Sequence, residues 1–307
     1  MRLREWPTRR RRRDVAVLIA VQLWVMASLS IPMPASAAPI FALPCSDAAL
    51  QKNWSTVDRY FPSGAMVTGV LADMRVRTLR PCTNPSSSSW DMPFMLVTLQ
   101  RDLFVNDPNN IVQIGYARCG RPSISCNGIP NDGAPHFVYT RGDNTGGLFF
   151  IFDTWYHAPV LGREYRFRIA LATSSAGDPV WEYCIRDKAS EPNYSCHNGG
   201  HRISGTTYGA ARSWSSGKFA WYGAENSSLA SQLGTAAGES HVDQRWMQYI
   251  RSSQWLVATP TTCDEETIPG RTHPSAYDCA TVSTVDVTGD GVVNDKETLR
   301  VWTDDRS

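Results

Sequence analysis

From Val70 to Arg77 the chain alternates, with Val70, Ala72, Met74 and Val76 on one side against Leu71, Asp73, Arg75 and Arg77 on the other. A period of two places successive side chains on opposite faces, so a half-buried strand is expected there. Phe94 to Gln100, Ile111 to Ala117, His136 to Thr140, Leu148 to Trp155, Tyr165 to Thr173, Val180 to Ile185 and Lys218 to Glu225 are further strand candidates. Turn-rich segments separate them, such as Asn106-Asp107-Pro108-Asn109, Gly142 to Gly147 and Ala176-Gly177-Asp178-Pro179. Many short strands joined by turns predict a mainly β protein built as an antiparallel β-sandwich rather than a βαβ fold.

Two regions break the alternation. Leu50, Trp54, Val57 and Phe61 recur at spacings of 4, 3 and 4, a helical stripe that Ser46 can cap and Pro62-Ser63-Gly64 stops, so an N-terminal helix is expected. Val242, Trp246, Tyr249 and Ile250 also fit a helical stripe, yet Trp255 to Ala258 has strand character, and the pattern leaves that stretch undecided. From Thr259 the composition turns to Pro260-Thr261-Thr262, Asp264-Glu265-Glu266 and Pro269-Gly270, which resembles a tether. The expected organisation is a signal peptide over residues 1–37, a sandwich domain over 38–258, a linker over 259–280 and a small module over 281–307.

The 307 residues carry 30 Lys and Arg against 29 Asp and Glu. The balance conceals an asymmetry. Arg2, Arg4 and Arg9 to Arg13 precede an apolar run from Val15 to Ile31 and the small-residue site Ala35-Ser36-Ala37, the layout of a secretory signal peptide. A secreted protein that meets a membrane only through that segment is expected. The remainder has 23 basic and 27 acidic side chains, a net charge of −4, which does not point to nucleic acid. All eight cysteines lie beyond residue 37, and an even count in an oxidising compartment predicts up to four disulfides. Pairing of neighbours is favoured, as in Cys119 with Cys126 or Cys263 with Cys279. The competing chemistry is zinc, prompted by Cys196, His197 and His201.

The most specific motif is Asp286-Val287-Thr288-Gly289-Asp290-Gly291-Val292-Val293-Asn294-Asp295-Lys296-Glu297. It matches a twelve-residue EF-hand loop, which supplies the six to eight oxygens that Ca2+ prefers. Asp286, Thr288 and Asp290 fall at positions 1, 3 and 5, and Gly291 allows the turn at 6. Val292 offers its carbonyl at 7, Asn294 acts through water at 9 and Glu297 closes the site at 12. Thr281 to Val285 is β-branched and a poor entering helix, whereas Asp295 to Trp302 is expected to form a short exiting helix. This loop-then-helix arrangement resembles a dockerin repeat. Dockerins carry two such repeats and this sequence shows one, so a cohesin-like partner is not expected.

Ile111-Val112-Gln113-Ile114-Gly115 and Trp221-Tyr222-Gly223-Ala224-Glu225 carry a second resemblance. They are similar to the Gln-containing strand and the Trp-then-Glu strand of the eqolisin-type glutamic peptidases, secreted enzymes with a concanavalin-like sandwich of the jelly-roll kind. The resemblance implies Gln113 and Glu225 as a catalytic dyad. Glu225 would be the general base on a water, and Gln113 would orient that water and stabilise the developing oxyanion. This chain departs from the pattern in two places: Glu225 follows Trp221 by four residues where the family has three, and Ala220 stands where the family has a Glu. No Gly-x-Ser-x-Gly elbow occurs, and the six His fall in no triad order. The alternative class is a module that binds an extracellular glycan or surface partner, with Trp155-Tyr156 and Trp221-Tyr222 as candidate stacking surface. The expected partner is thus a glycan or, on the peptidase reading, a protein substrate.

Overall fold

The computed structural model describes residues 53–60, 67–82, 92–101, 111–120, 126, 128–140, 149–153, 156–175, 177, 179–197, 216–217, 219–226, 232–233, 241–258, 264–267, 277–282 and 298–303. These residues contain seventeen strands and no helix. In chain order the first are β1 (Asn53–Tyr60), β2 (Val67–Arg75), β3 (Leu79–Arg80), β4 (Phe94–Gln100), β5 (Ile111–Ala117) and β6 (His136–Thr140). Next come β7 (Phe149–Ile151), β8 (Glu164–Thr173), β9 (Pro179–Asp187), β10 (Ser195–His197) and β11 (Phe219–Asn226). The last are β12 (Gln232–Leu233), β13 (Val242–Arg251), β14 (Gln254–Val257), β15 (Asp264–Thr267), β16 (Tyr277–Val282) and β17 (Thr298–Thr303).

They build two large antiparallel sheets and a short β12–β3 pair. One large sheet has seven strands in the order β15-β1-β11-β4-β5-β6-β7. The other has eight, in the order β10-β9-β8-β2-β13-β17-β16, with β14 on β13. Alternation decides which side chains meet between them. Val97 and Leu99 of β4, Ile114 and Tyr116 of β5 and Tyr222 of β11 form one core with Val70 and Met74 of β2, Phe167 of β8 and Trp181 of β9. Burying each such large side chain contributes about 1.5–3 kcal/mol. A second, smaller cluster lies on the opposite face of the seven-stranded sheet. There Phe94, Leu96, Ala117, Val138 and Trp221 pack beneath Met92, Ile129 and the Cys119–Cys126 disulfide.

The sheets are also tied by polar bonds. Gln244 of β13 donates from Nε2 to the carbonyl of Leu96 at 2.7 Å, and Tyr222 donates from its hydroxyl to the carbonyl of Gln248 at 2.9 Å. Tyr183 of β9 donates to the carbonyl of Thr140 at 2.6 Å.

Three expectations are corrected or completed here. Asn53–Tyr60, inside the stripe that predicted an N-terminal helix, is a strand, paired with β11 on one side and β15 on the other. Pairing on both sides satisfies its backbone, and Trp54, Thr56, Val57 and Tyr60 are residue types that suit a strand. Thr298–Thr303 is likewise a strand rather than the exiting helix of a calcium module. Its Leu299 and Val301 enter the core while β13 and β16 supply hydrogen-bond partners on its two edges. The undecided stretch is β13, whose pairing with β2 shifts register between Arg245 and Gln248, with Trp246 at a positive φ of 52°. That bulge inserts one extra residue, so the inward positions are Val242, Gln244, Met247 and Tyr249, a spacing that is neither strictly two nor helical.

Two further strands fall in the stretch expected as a tether, Asp264–Thr267 beside β1 and Tyr277–Val282 beside β17. The signal peptide and the loop over residues 283–297 lie outside the described residues.

Candidate functional site

Gln113 occupies the middle of β5, opposite Thr98 of β4 and Thr140 of β6. Its neighbours Val112 and Ile114 point into the core, so Gln113 faces the other side, with 4% of its surface exposed. The side-chain amide donates to the Thr98 hydroxyl at 3.3 Å, and the backbone N–H donates to the Thr140 hydroxyl at 3.0 Å. Trp221 of β11 is the next residue across from Thr98. A polar row, Trp221, Thr98, Gln113 and Thr140, therefore crosses four adjacent strands.

Glu225 lies on the same face as Gln113 and is also 4% exposed, so it is not a solvated edge carboxylate. Its spacing from Trp221 explains why. Four residues along a strand return to the same face, whereas the position three after Trp221 is Ala224, which packs in the core between the sheets. Glu225 nevertheless sits in a different row, opposite Phe94, then Ala117, then His136. Relative to Gln113 it is displaced by two strands and four residues. Strand geometry converts that to about 10 Å across the sheet and about 13 Å along it. The two groups share a face and do not share a position for one water.

The far end of the Glu225 row holds a constellation that no motif announced. His136 places Nδ1 2.6 Å from Asp153 Oδ2 and Nε2 3.1 Å from Asp132 Oδ1. Burial pushes the imidazole down, but hydrogen bonding and attraction to Asp153 and Asp132 outweigh it and hold its pKa above the ordinary value. For Asp132, burial acts upward and is outweighed by the Ala134 N–H and by His136, which leave its pKa lowered. Asp153 also accepts the backbone N–H of Phe137 at 3.0 Å. Both ring nitrogens face carboxylates, so neither is turned toward a nucleophile, and the arrangement clamps the approach to β6 against the segment after β7. The only sequence signal was the spacing of Asp132 and His136, because Asp153 arrives from a separate strand end.

The aromatic pairs considered for stacking are largely internal. Trp221 is 5% exposed under the Cys119–Cys126 cover, Tyr222 lies in the core, and Tyr156 is 8% exposed. Trp155 lies outside the described residues.

Cysteine chemistry follows the oxidising reading. Cys119 pairs with Cys126 and Cys184 with Cys196, while Cys82 and Cys279 are also disulfide-bonded, so no described cysteine is free. Glu182, Cys184 and Cys196 approach one another within 4.8 Å, but both sulfurs belong to the disulfide and neither is a thiolate ligand. The zinc alternative thereby loses Cys196. The disulfides are consistent with an extracellular protein.

The calcium candidates Asp286, Thr288, Asp290, Val292, Asn294 and Glu297 lie outside the described residues. Their frame does not. β16 and β17 pair residue for residue from Tyr277 with Thr303 to Val282 with Thr298, so the described residues that flank the twelve-residue motif are direct partners. The donor set itself is all oxygen, the chemistry of a hard divalent cation.

No family model matches the chain, and no curated protein matches it. Among solved structures, it is similar to scytalido-glutamic peptidase with a transition state analog inhibitor, with a TM-score of 0.48 and 10% identity over 83% of this chain and 99% of that one. It is also similar to SCP-B, a member of the Eqolisin family of peptidases in complex with the tripeptide Ala-Ile-His, with a TM-score of 0.45 and 10% identity over 83% of this chain and 98% of that one. These weak structural likenesses fall to the same peptidase family that Gln113 and Trp221 to Glu225 resemble, and they assign no role to any residue of this chain.

Proposed function

We propose that this is a secreted, calcium-binding β-sandwich protein whose sandwich binds an extracellular glycan. The observation that carries the calcium part is the pairing of Val282 with Thr298. An EF-hand loop needs its first and last ligands brought together, a task that flanking helices ordinarily perform. Here Glu297 directly precedes Thr298 and Asp286 follows Val282 by four residues, so the strand pairing supports a meeting of the first and last ligands. A cation would neutralise part of the negative charge of Asp286, Asp290 and Glu297 and brace the hairpin. The affinity expected of an extracellular module, about 10⁻⁴–10⁻³ M, suits a structural clamp. Calcium titration of the mature chain by calorimetry tests this, with Asp286→Ala as the comparison; equal heats from both proteins would remove the site.

Binding is preferred to cleavage because Gln113 and Glu225 stand in separate rows, and a general base must reach the water that its partner orients. The peptidase alternative keeps one favourable observation, that both groups are buried on the same face of one sheet. Its test is a digest of denatured protein by the mature chain beside its Glu225→Gln variant.

A further inference from the structure

The outward face of the eight-stranded sheet is stratified by charge. Arg186 of β9, Arg166 of β8, Asp73 of β2 and Arg245 of β13 stand side by side on four adjacent strands. In the neighbouring register Glu164 faces Arg75, and Asp243 faces Arg300. Two of the acids lie at the bottom of this layer, while Glu164 and Glu182, at 20% and 32%, are about as exposed as the cations they pair with. Asp73 is fully buried and Asp243 is 1% exposed, whereas the side chains of Arg166, Lys188, Arg245 and Arg75 are 24%, 27%, 30% and 36% exposed.

Asp73 holds Arg166 through two bonds, at 2.5 Å and 2.9 Å, and takes Lys188 on its second oxygen. Asp243 holds Arg245 at 3.0 Å. Buried carboxylates thus fix Arg166, Lys188 and Arg245, which keep a quarter to a third of their side chains exposed. Among the described residues, Arg75, Arg166, Arg168, Arg186, Lys188, Arg245 and Arg300 stand on this face against Asp73, Glu164, Glu182 and Asp243, seven cations to four acids, on a chain whose net charge beyond residue 37 is −4.

One detail speaks against a purely structural origin. Arg166 and Arg186 are direct cross-strand partners, and like charges opposite each other destabilise a sheet. The Tyr194 ring lies under Arg168 and Arg186, its centroid 4.4 Å and 5.2 Å from their guanidinium carbons; Arg168 is also paired with Glu182 at 3.1 Å, whereas the ring orders Arg186 without neutralising it.

We infer that this face docks a linear acidic polysaccharide bearing carboxylates along its length. A guanidinium matches a carboxylate with two parallel donors, and a lattice of them on rigid strands presents that match repeatedly with little ordering cost. An extended polymer can lie along adjacent strands and meet several of these guanidiniums at once. Among the described residues these rows hold no large exposed apolar side chain; Trp255, 38% exposed, stands on the same face farther along, across from Ile250. The inference rests on the glycan-binding reading of the domain and is independent of the calcium loop.

The test measures affinity of the mature chain for polygalacturonate, for its fully methyl-esterified form, for neutral glucan and for anionic phospholipid vesicles. It is done without added calcium so that the metal does not bridge polymer to protein. The variant is Arg186→Gln combined with Arg300→Gln, which spares the cations tied to Asp73. The expected result is binding of polygalacturonate alone that weakens with salt, an affinity at least tenfold lower in the variant, and an unchanged or raised melting temperature because the like-charge pair is gone. Equal affinity of variant and parent, equal binding of the esterified polymer, or equal binding of vesicles would each overturn the proposal. Retention of neutral glucan with no polygalacturonate binding would overturn it while leaving the glycan reading standing; retention of neither polymer would remove both.

Discussion

The side-chain amide of Gln244, at the heart of β13, donates to the backbone carbonyl of Leu96 on the opposite sheet at 2.7 Å. Its own oxygen has no hydrogen-bond partner among the described residues. The bond is therefore half of a buried amide, and what it gains is offset by what the orphaned oxygen costs. Gln244→Met, close in volume and without polar atoms, should change stability by less than about 1 kcal/mol, since it removes the bond and the orphan together. Gln244→Ala should cost about 2–4 kcal/mol through the cavity it leaves. Denaturant unfolding of the pair separates the two effects, and a Met variant as unstable as the Ala variant would show that the inter-sheet bond dominates.

The His136 clamp predicts a pH dependence of defined sign. The folded-state pKa is raised, so the charged imidazole stabilises the fold fully below its unfolded value of about 6.5, and that contribution is lost as pH rises through the folded value. The lowered pKa of Asp132 places its own loss at more acidic pH, as pH falls through that value. Between pH 5 and 9 the histidine governs. His136→Gln should be most destabilising near pH 5, and the gap to the parent should narrow toward pH 9 in thermal unfolding. A gap that widened with pH would mean that the neutral ring is the stabilising form.

β4, β5 and β6 were legible as short runs rich in apolar residues, because both faces of each strand are buried and no bulge interrupts them, so the expected limits Phe94 to Gln100, Ile111 to Ala117 and His136 to Thr140 are the observed ones. β13 was not legible, since its bulge at Trp246 replaces a strict period of two with steps of two and three. β1 was misread because its apolar spacing suits a helix locally, and only β11 and β15, distant in sequence, reveal what satisfies its backbone. Register is the information that sequence lacks for the site. It puts Gln113 and Glu225 on one face and in different rows, and it brings Asp153 to His136 from beyond β7.

The Cys119–Cys126 disulfide packs with Met92 and Ile129 over Trp221, on the face that also carries Gln113 and Glu225. Replacing both cysteines by Ala should cost about 2–4 kcal/mol and loosen that packing. Trp221 is internal in the parent, so the variant should show red-shifted tryptophan emission before global unfolding. An unshifted spectrum would mean that Met92 and Ile129 suffice as cover.

Separate rows for Gln113 and Glu225 predict no cleavage that depends on Glu225. Incubating the mature chain with a denatured protein mixture from acid to neutral pH should give the same peptides by mass spectrometry as its Glu225→Gln variant. Acid-favoured cleavage by the parent alone would restore the dyad and demand a conformation that brings the two rows together.

Calcium at the hairpin loop predicts a gain in stability that scales with free cation. With an affinity of about 10⁻⁴–10⁻³ M, 10 mM calcium should stabilise the folded state by about 1.4–2.7 kcal/mol. For a domain of this size that is a rise in Tm of about 3–10 °C over a chelated sample. Asp286→Ala and Glu297→Gln should each abolish most of the rise while leaving the chelated Tm close to the parent's, because neither removes a strand residue of β16 or β17. Magnesium should do less, since it demands near-ideal octahedral geometry and gives up its waters reluctantly. A rise of equal size in the parent and both variants would move the calcium elsewhere on the molecule, and no rise in the parent would mean that the paired strands close the loop on hydrogen bonds alone.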